Sequence, residues 1–236
     1  MNKKIALITG ANRGLGLEIA RQLGHGGVTV LLAARTLAKA EKAAAILREE
    51  QINCHGLELD VTNSEHIAAI TKVIEKEYGQ LDILINNAGI FLDHLGSSLD
   101  VMRQTFEVNV FGAHTLTEAL LPLLKASPAG RIVNQSSIMG SVTTILADSQ
   151  LGDSSRPAYS SSKAALNMLT ALLSVQLKET NVKVNATHPG WVKTDLGGEN
   201  APMDIEDGAK TAVRLATLPD DGPTGGYFHN DEALPW

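Results

Sequence analysis

Tyr159 and Lys163 stand four residues apart in the run Tyr159-Ser160-Ser161-Ser162-Lys163. If that run is helical, both side chains project from one face. A free phenol has a pKa near ~10 and exchanges protons poorly at neutral pH. A neighbouring ammonium favours the phenolate and lowers that value. The pair is suited to hand a proton to a carbonyl oxygen, or to take one from an alcohol. Alone, a Tyr-x-x-x-Lys is commonplace and is usually an exposed pair on a helix. Its weight comes from the rest of the chain.

The run Ile5–Thr9 reads as a strand and ends in Thr9-Gly10-Ala11-Asn12-Arg13-Gly14-Leu15-Gly16, after which a helix is predicted. Glycines let the backbone turn tightly and come close to a pyrophosphate, whose charge then faces a helix N-terminus. The spacing is G-x-x-x-G-x-G rather than the general G-x-G-x-x-G. Glycines also serve in bare connections, but the strand before and the helix after supply the context of a dinucleotide cradle. About 20 positions beyond such a loop, a carboxylate normally binds the ribose 2′-hydroxyl of NAD. Here the chain has Ala33-Ala34-Arg35-Thr36 instead. Arg35, with Arg13 inside the loop, would pair with a 2′-phosphate. Charge-assisted hydrogen bonds contribute roughly 1.5–3 kcal/mol each, so two would favour NADPH/NADP+ by about a hundredfold or more. The bland reading of Arg35 is a solvated charge at a strand end. Asp60 could accept from an adenine amino group while the Val61 N–H binds the ring. Asp60 serves equally well as a turn or N-cap residue before Thr62-Asn63-Ser64.

The elements that would position these residues alternate strand and helix. Strand-like runs are predicted at Ile5–Thr9, Val28–Ala34, Leu57–Val61, Ile83–Asn86, Arg131–Gln135, Val182–Thr187 and Gly226–His229. Helices are predicted over Leu15–Leu23, Leu37–Glu50, Ser64–Tyr78, Val101–Leu124, Ala158–Glu179 and Ile205–Leu218, with Ser64 as an N-cap. Ile5-Ala6-Leu7-Ile8 and Ile83-Leu84-Ile85 are continuous apolar runs, as in strands covered on both faces. The expected fold is α/β: a doubly wound, Rossmann-type parallel sheet of about seven strands, with helices on both faces, in one domain spanning residues 1–236. Ligands in such sheets sit outside the carboxyl ends of the strands. The Gly/Ser/Asp/Pro-rich segments near 141–157 and 191–205 are therefore candidate substrate-side loops.

Composition sets limits on function. The 236 residues are 44% hydrophobic and carry a formal net charge of −6, with no basic stripe for nucleic acid. Cys54 is the sole cysteine, so no internal disulfide forms. It reads as a small buried residue in a reducing, cytoplasmic setting. No apolar run approaches the ~20 residues of a membrane span, and no signal peptide is legible. The seven histidines and the lone cysteine show no ligand spacing, so no metal is expected.

Taken together and in order, Thr9–Gly16, Asp60, Asn86-Asn87-Ala88-Gly89, Asn109, Ser137, Tyr159/Lys163 and Pro189-Gly190 with Thr194 resemble a short-chain dehydrogenase/reductase over almost the whole length. Phe106–Gly112, Ser136–Gly140 and Pro189–Leu196 look most like NADPH-dependent carbonyl reductases. The resemblance implies catalytic roles for Ser137, Tyr159, Lys163 and Asn109. Tyr159 is the general acid in reduction, Lys163 lowers its pKa and binds the nicotinamide ribose, and Ser137 holds the substrate oxygen. Asn109 holds a water linking Lys163 to solvent; otherwise it is a polar core residue satisfied by backbone. Gly10, Asn12, Arg13, Gly14, Leu15, Gly16, Arg35, Asp60, Val61, Asn87, Ala88, Gly89, Tyr159, Lys163, Pro189, Gly190, Val192 and Thr194 would bind the cofactor. Trp191 shapes the substrate pocket or is a half-buried core aromatic.

Ser136 competes with Ser137, but the serine of the family precedes x-x-Gly, which selects Ser137. The 22 positions between Ser137 and Tyr159 exceed the usual spacing. The surplus, around Leu146–Arg156, is expected as a surface excursion that puts in doubt the helix packing behind many homo-oligomers of the family. The implied reaction is reduction of an apolar or aromatic ketone or aldehyde by NADPH, reversible as alcohol oxidation. The competing reading is an NADP(H)-binding sensor without turnover. A sensor needs the glycine loop but no proton donor, so the complete set Ser137/Tyr159/Lys163/Asn109 favours the enzyme.

Overall fold

The structure is a computed structural model that describes residues 3–148, 151 and 156–236. Its centre is a sheet with strand order β3-β2-β1-β4-β5-β6-β7-β8. The strands are β1 Ile5–Thr9, β2 Thr29–Ala34, β3 Cys54–Glu58, β4 Ile83–Asn86, β5 Arg131–Gln135, β6 Lys183–Thr187, β7 Tyr227–His229 and β8 Glu232–Ala233. The first seven pair in parallel. The eighth is a two-residue antiparallel return that pairs Ala233 with Phe228, one strand beyond the expected seven. Glu232 and Ala233 are exposed, so no apolar pattern announces it.

The chain builds outward from β1 in both directions, which puts the switch point between β1 and β4. Crevices at such points bind ligands beyond the strand ends. Every residue of β1, β2, β4 and β5 is buried. One face packs Ile8, Ile85 and Val133 beneath α1 (Gly14–His25), α2 (Leu37–Glu49) and the last helix. The other packs Leu7, Leu84 and Ile132 against α3 (Ser64–Tyr78) and the helices that follow β4.

Three departures from the sequence pattern have physical causes. Strand β3 lies three residues earlier than expected, because Gly56 is needed where the strand presses on α2. A Cβ there would sit 2.6 Å from the Glu41 backbone nitrogen. The N-cap of α3 is Asn63, not Ser64; its carboxamide oxygen accepts from the Glu65 and His66 N–H groups. The long helix predicted over Val101–Leu124 divides into α4 (Leu99–Phe106), a π-helical turn (Glu107–Gly112) and α5 (Ala113–Ala126). Gly112 permits this packing, since a Cβ there would meet Val61 at 2.7–2.8 Å. π-Turns concentrate at functional positions. A short α6 (Val142–Ala147), α7 (Pro157–Gln176) and α8 (Ile205–Ala216) complete the helices described. The expected excursion at Leu146–Arg156 and the loop near 141–157 fall partly outside the described residues. Cys54 is buried, with its thiol on Ala44 O.

Candidate active site

Strand ends and one helix converge on Tyr159. Ser137 lies two residues beyond the end of β5, and its hydroxyl neighbours the Tyr159 phenol. Ser136 points instead to the body of α7, donating to Asn167 Oδ1 at 2.6 Å. Of the two serines, Ser137 is the one beside Tyr159. One turn along α7 from Tyr159, the Lys163 Nζ lies 5.6 Å from the centroid of the tyrosine ring and donates to the Gln135 carbonyl at 2.7 Å.

The electrostatics run against the sequence expectation. Burial pushes the Tyr159 pKa above the ordinary phenol value, opposed by the Ser137 hydrogen bond and the Arg156 charge. Burial acts on Lys163 itself, whose pKa falls to about 8. An i,i+4 spacing brings two groups together, but the depth at which they are held decides which protonation state prevails. Tyr159 therefore keeps its proton at neutral pH, the state a general acid requires.

Asn109 sits in the π-turn and is buried. Its Oδ1 accepts from the Ile90 N–H at 2.8 Å, and its Nδ2 donates to Ile90 O and to Ser162 Oγ, each at 3.0 Å. The carboxamide is engaged with the Ile90 backbone and a helix hydroxyl. Gly89 lies beside it. A Cβ there would stand 3.4 Å from Asn109 Oδ1 and 3.6 Å from Lys163 Nζ, so glycine keeps that corner open.

The glycine loop has the shape a pyrophosphate needs. Gly10 and Gly14 adopt positive φ angles of 64° and 54°. Gly16 has no room for a Cβ, which would meet Asn87 Nδ2 at 2.5 Å and Gly10 O at 2.7 Å. Asn87 fixes the loop to β4: its Nδ2 donates to Thr9 O at 2.8 Å, and Thr9 Oγ1 accepts from the Asn87 and Ala88 N–H groups. Thr194 faces Gly14 across the cradle, and Val192 packs against Gly208. Asn12 and Leu15 are partly buried in the same turn. Gly190, after Pro189, takes φ 89° close to Met203 and His229.

At the other end of the cradle, Arg35 is exposed and its charge reaches Asp60. Burial raises the Asp60 pKa, but hydrogen bonds from the Thr62 N–H and hydroxyl, with the charges of Arg35 and His66, bring it below the usual carboxylate value. Asp60 Oδ1 is thus engaged in a turn. The Arg13 guanidinium is ion-paired with Asp195, both side chains being exposed. Trp191 is neither core nor half-buried: it is 58% exposed, with its indole N–H on Gly197 O.

Sequence reasoning passed over His188, weighing it only as a metal ligand. It ends the run from β6 and its Nδ1 accepts from the Ile138 N–H at 3.2 Å, the residue after Ser137. Burial, with His229 5.0 Å away ring to ring, brings its pKa down to about 4. Its place immediately before Pro189-Gly190 was the available signal. Among the described residues, no group of three or more His, Cys, Asp or Glu could hold a metal ion, and no helix is long and apolar enough to cross a membrane.

Comparison with known proteins bears on this arrangement. The short chain dehydrogenase family matches residues 4–204. Short-chain dehydrogenase/reductase 1 of Saponaria officinalis is 34% identical, over 99% of this chain and 96% of its own. Carbonyl reductase (NADPH) 1 of Mus musculus is 32% identical, over 100% and 99%. The crystal structure of NADPH-bound carbonyl reductase from chicken fatty liver superposes with a TM-score of 0.87 at 28% identity, covering all of both chains.

Proposed function

Because this chain belongs to the short-chain dehydrogenase family, whose members use nicotinamide cofactors, and is an oxidoreductase, we propose that it reduces a ketone or aldehyde carbonyl with NADPH, reversibly. The observation that carries the reading is the placement of the Tyr159 phenol beside the Ser137 hydroxyl and one helical turn from Lys163, whose Nζ lies 5.6 Å from the centroid of the tyrosine ring.

The residues present fit the cofactor: the backbone of Gly10–Gly16 forms a cradle that side chains would fill. Arg35 supports a 2′-phosphate, there being no carboxylate at the end of β2. Asn12, Asp60, Val61, Asn87, Ala88, Gly89, Pro189, Gly190, Val192 and Thr194 would line its remaining length. When bound, NADPH supplies hydride. Tyr159 then donates its proton to the substrate oxygen, and the Ser137 hydroxyl stabilises the negative charge developing on that oxygen. Lys163 gives one N–H to Gln135 O and keeps two for the cofactor ribose. The loops beside the site expose Leu95, Trp191 and Leu196, which suits an apolar or aromatic substrate. The lone buried thiol suits the cytoplasm.

The test is NADPH consumption with a panel of aldehydes and ketones, wild type against Tyr159→Phe. Turnover in the wild type and its loss in the variant, with NADPH binding intact, is expected. Full turnover in Tyr159→Phe would end the mechanism, and NADPH binding without turnover of any carbonyl compound would favour the sensor.

A further inference from the structure

We propose that Asp93 is the positioning residue of Tyr159, capping the catalytic helix from a distant part of the chain; this rests on the reading of Tyr159 as the proton donor. Helix α7 is not capped by the residue that precedes it. Arg156 makes no side-chain cap hydrogen bond, and Pro157, in the first turn, has no N–H to give. The next two donors, the N–H groups of Ala158 and Tyr159, go to the two carboxylate oxygens of Asp93, at 2.9 and 3.0 Å. A capping oxygen normally comes from the residue just before the helix. This one comes from 65 positions upstream, in the short 3-10 turn Asp93–Leu95 after β4. Two oxygens on two N–H groups set both the height and the rotation of the first turn. The negative charge also sits at the positive end of the α7 dipole.

The same segment is held at its other end. Asn109 takes both backbone groups of Ile90 and, through the same Nδ2, touches Ser162 on α7. Residues 90–93 are therefore tied to the helix twice, at Ser162 through Asn109 and at Ala158/Tyr159 through Asp93. Between the two ties, the Phe91 ring stands edge-on to the Tyr159 ring, with centroids 5.5 Å apart. The Arg156 guanidinium lies over the other ring of that pair, 5.6 Å from the Phe91 centroid. The loop after β4 thus sets the place of the phenol relative to Ser137. A shift of the helix start moves the hydroxyl against a serine fixed to β5. A displacement of about 1 Å at a reacting group lowers rates by up to roughly a hundredfold.

The test compares wild type, Asp93→Ala, Asp93→Asn and Tyr159→Phe. It measures kcat, KM, the NADPH dissociation constant by fluorescence, and amide exchange over the first turn of α7. For Asp93→Ala, exchange at residues 158–159 should accelerate about fivefold, the usual consequence of losing a cap. Its kcat should fall tenfold or more while NADPH affinity changes less than twofold. Asp93→Asn keeps one acceptor and should lie between the two in both readouts. Wild-type exchange and a kcat within twofold of wild type in both variants would overturn the proposal. A uniform loss of exchange protection across the protein, with no partial rescue by Asp93→Asn, would also overturn it. If the wild type reduces no carbonyl compound, or Tyr159→Phe is fully active, the reductase reading fails instead. The exchange measurement needs no turnover and still decides the cap.

Discussion

Acid should destabilise this protein through one imidazole. His188 is held neutral: its Nδ1 accepts from the Ile138 N–H, and burial together with His229 places its pKa at about 4. In the unfolded chain the same ring titrates at its ordinary value near 6.5. As pH falls through 6.5, the unfolded state takes up a proton that the folded state refuses, and unfolding is favoured by about 1.4 kcal/mol per pH unit until the folded pKa is reached. The loss amounts to about 2 kcal/mol between pH 7 and pH 5, and to about 3 kcal/mol by pH 4. That is a large share of the 5–15 kcal/mol typical of a domain. The control is His188→Asn, whose carboxamide oxygen can still accept from Ile138 N–H but does not titrate. Urea denaturation of both proteins at half-unit steps from pH 7 to pH 4 gives two stability curves. Their difference cancels the carboxylates that both proteins share. The expected difference grows by about 2 kcal/mol between pH 7 and 5, the wild type falling faster. Parallel curves would refute the argument that His188 is kept neutral by its surroundings.

Other expectations follow from the same geometry. Arg35→Ala should raise KM for NADPH by about tenfold or more and leave that for NADH nearly unchanged, since only the former carries the 2′-phosphate; steady-state kinetics with both cofactors checks it, and equal effects would remove the argument. Gly16→Ala drives a methyl against Asn87 Nδ2 and the Gly10 carbonyl, so NADPH affinity measured by fluorescence should weaken by about tenfold or more. Lys163→Met should abolish turnover yet stabilise the cofactor-free protein at pH 7. The wild type buries an ammonium whose pKa has dropped from 10.5 to about 8, so its unfolded state binds more protons between those values. Wild-type stability should therefore rise across that window, by at most about 3 kcal/mol, and denaturation of the variant at pH 7 and pH 10 should show no such rise.

The fold was legible wherever burial writes a pattern into consecutive residues. Ile5–Thr9, Ile83–Asn86 and Arg131–Gln135 are strands with the boundaries their apolar runs predict, and Ser64–Tyr78 is the helix its periodicity predicts. Legibility failed where contact rather than hydrophobicity sets the element. Cys54-His55-Gly56 is a strand because α2 presses on Gly56, and neither His55 nor Gly56 carries a strand signal. The π-turn at Glu107–Gly112 is hidden inside a good helical pattern. What distinguishes it is the fit of Gly112 against Val61 and of Asn109 against Ile90, both partners lying far off in sequence.

The site divides in the same way, and the division says something about how it is built. The groups that would do chemistry were readable, because spacing on one helix and glycines in one loop are local facts. What holds them in place was not. Asn87 on Thr9 O, Asn109 on the Ile90 N–H, Asp93 on the Tyr159 N–H, His188 on the Ile138 N–H and Lys163 on Gln135 O are all bonds from a side chain to backbone 19 or more positions away. Such a bond leaves little trace in the sequence around either partner. It also explains why the expected lowering of the Tyr159 pKa is reversed: the Lys163 ammonium donates to a carbonyl of the sheet, and loss of solvent raises the Tyr159 pKa while it lowers that of Lys163. In this protein the identity of a reactive group is a local property of the chain, whereas its protonation state and aim are properties of the tertiary fold.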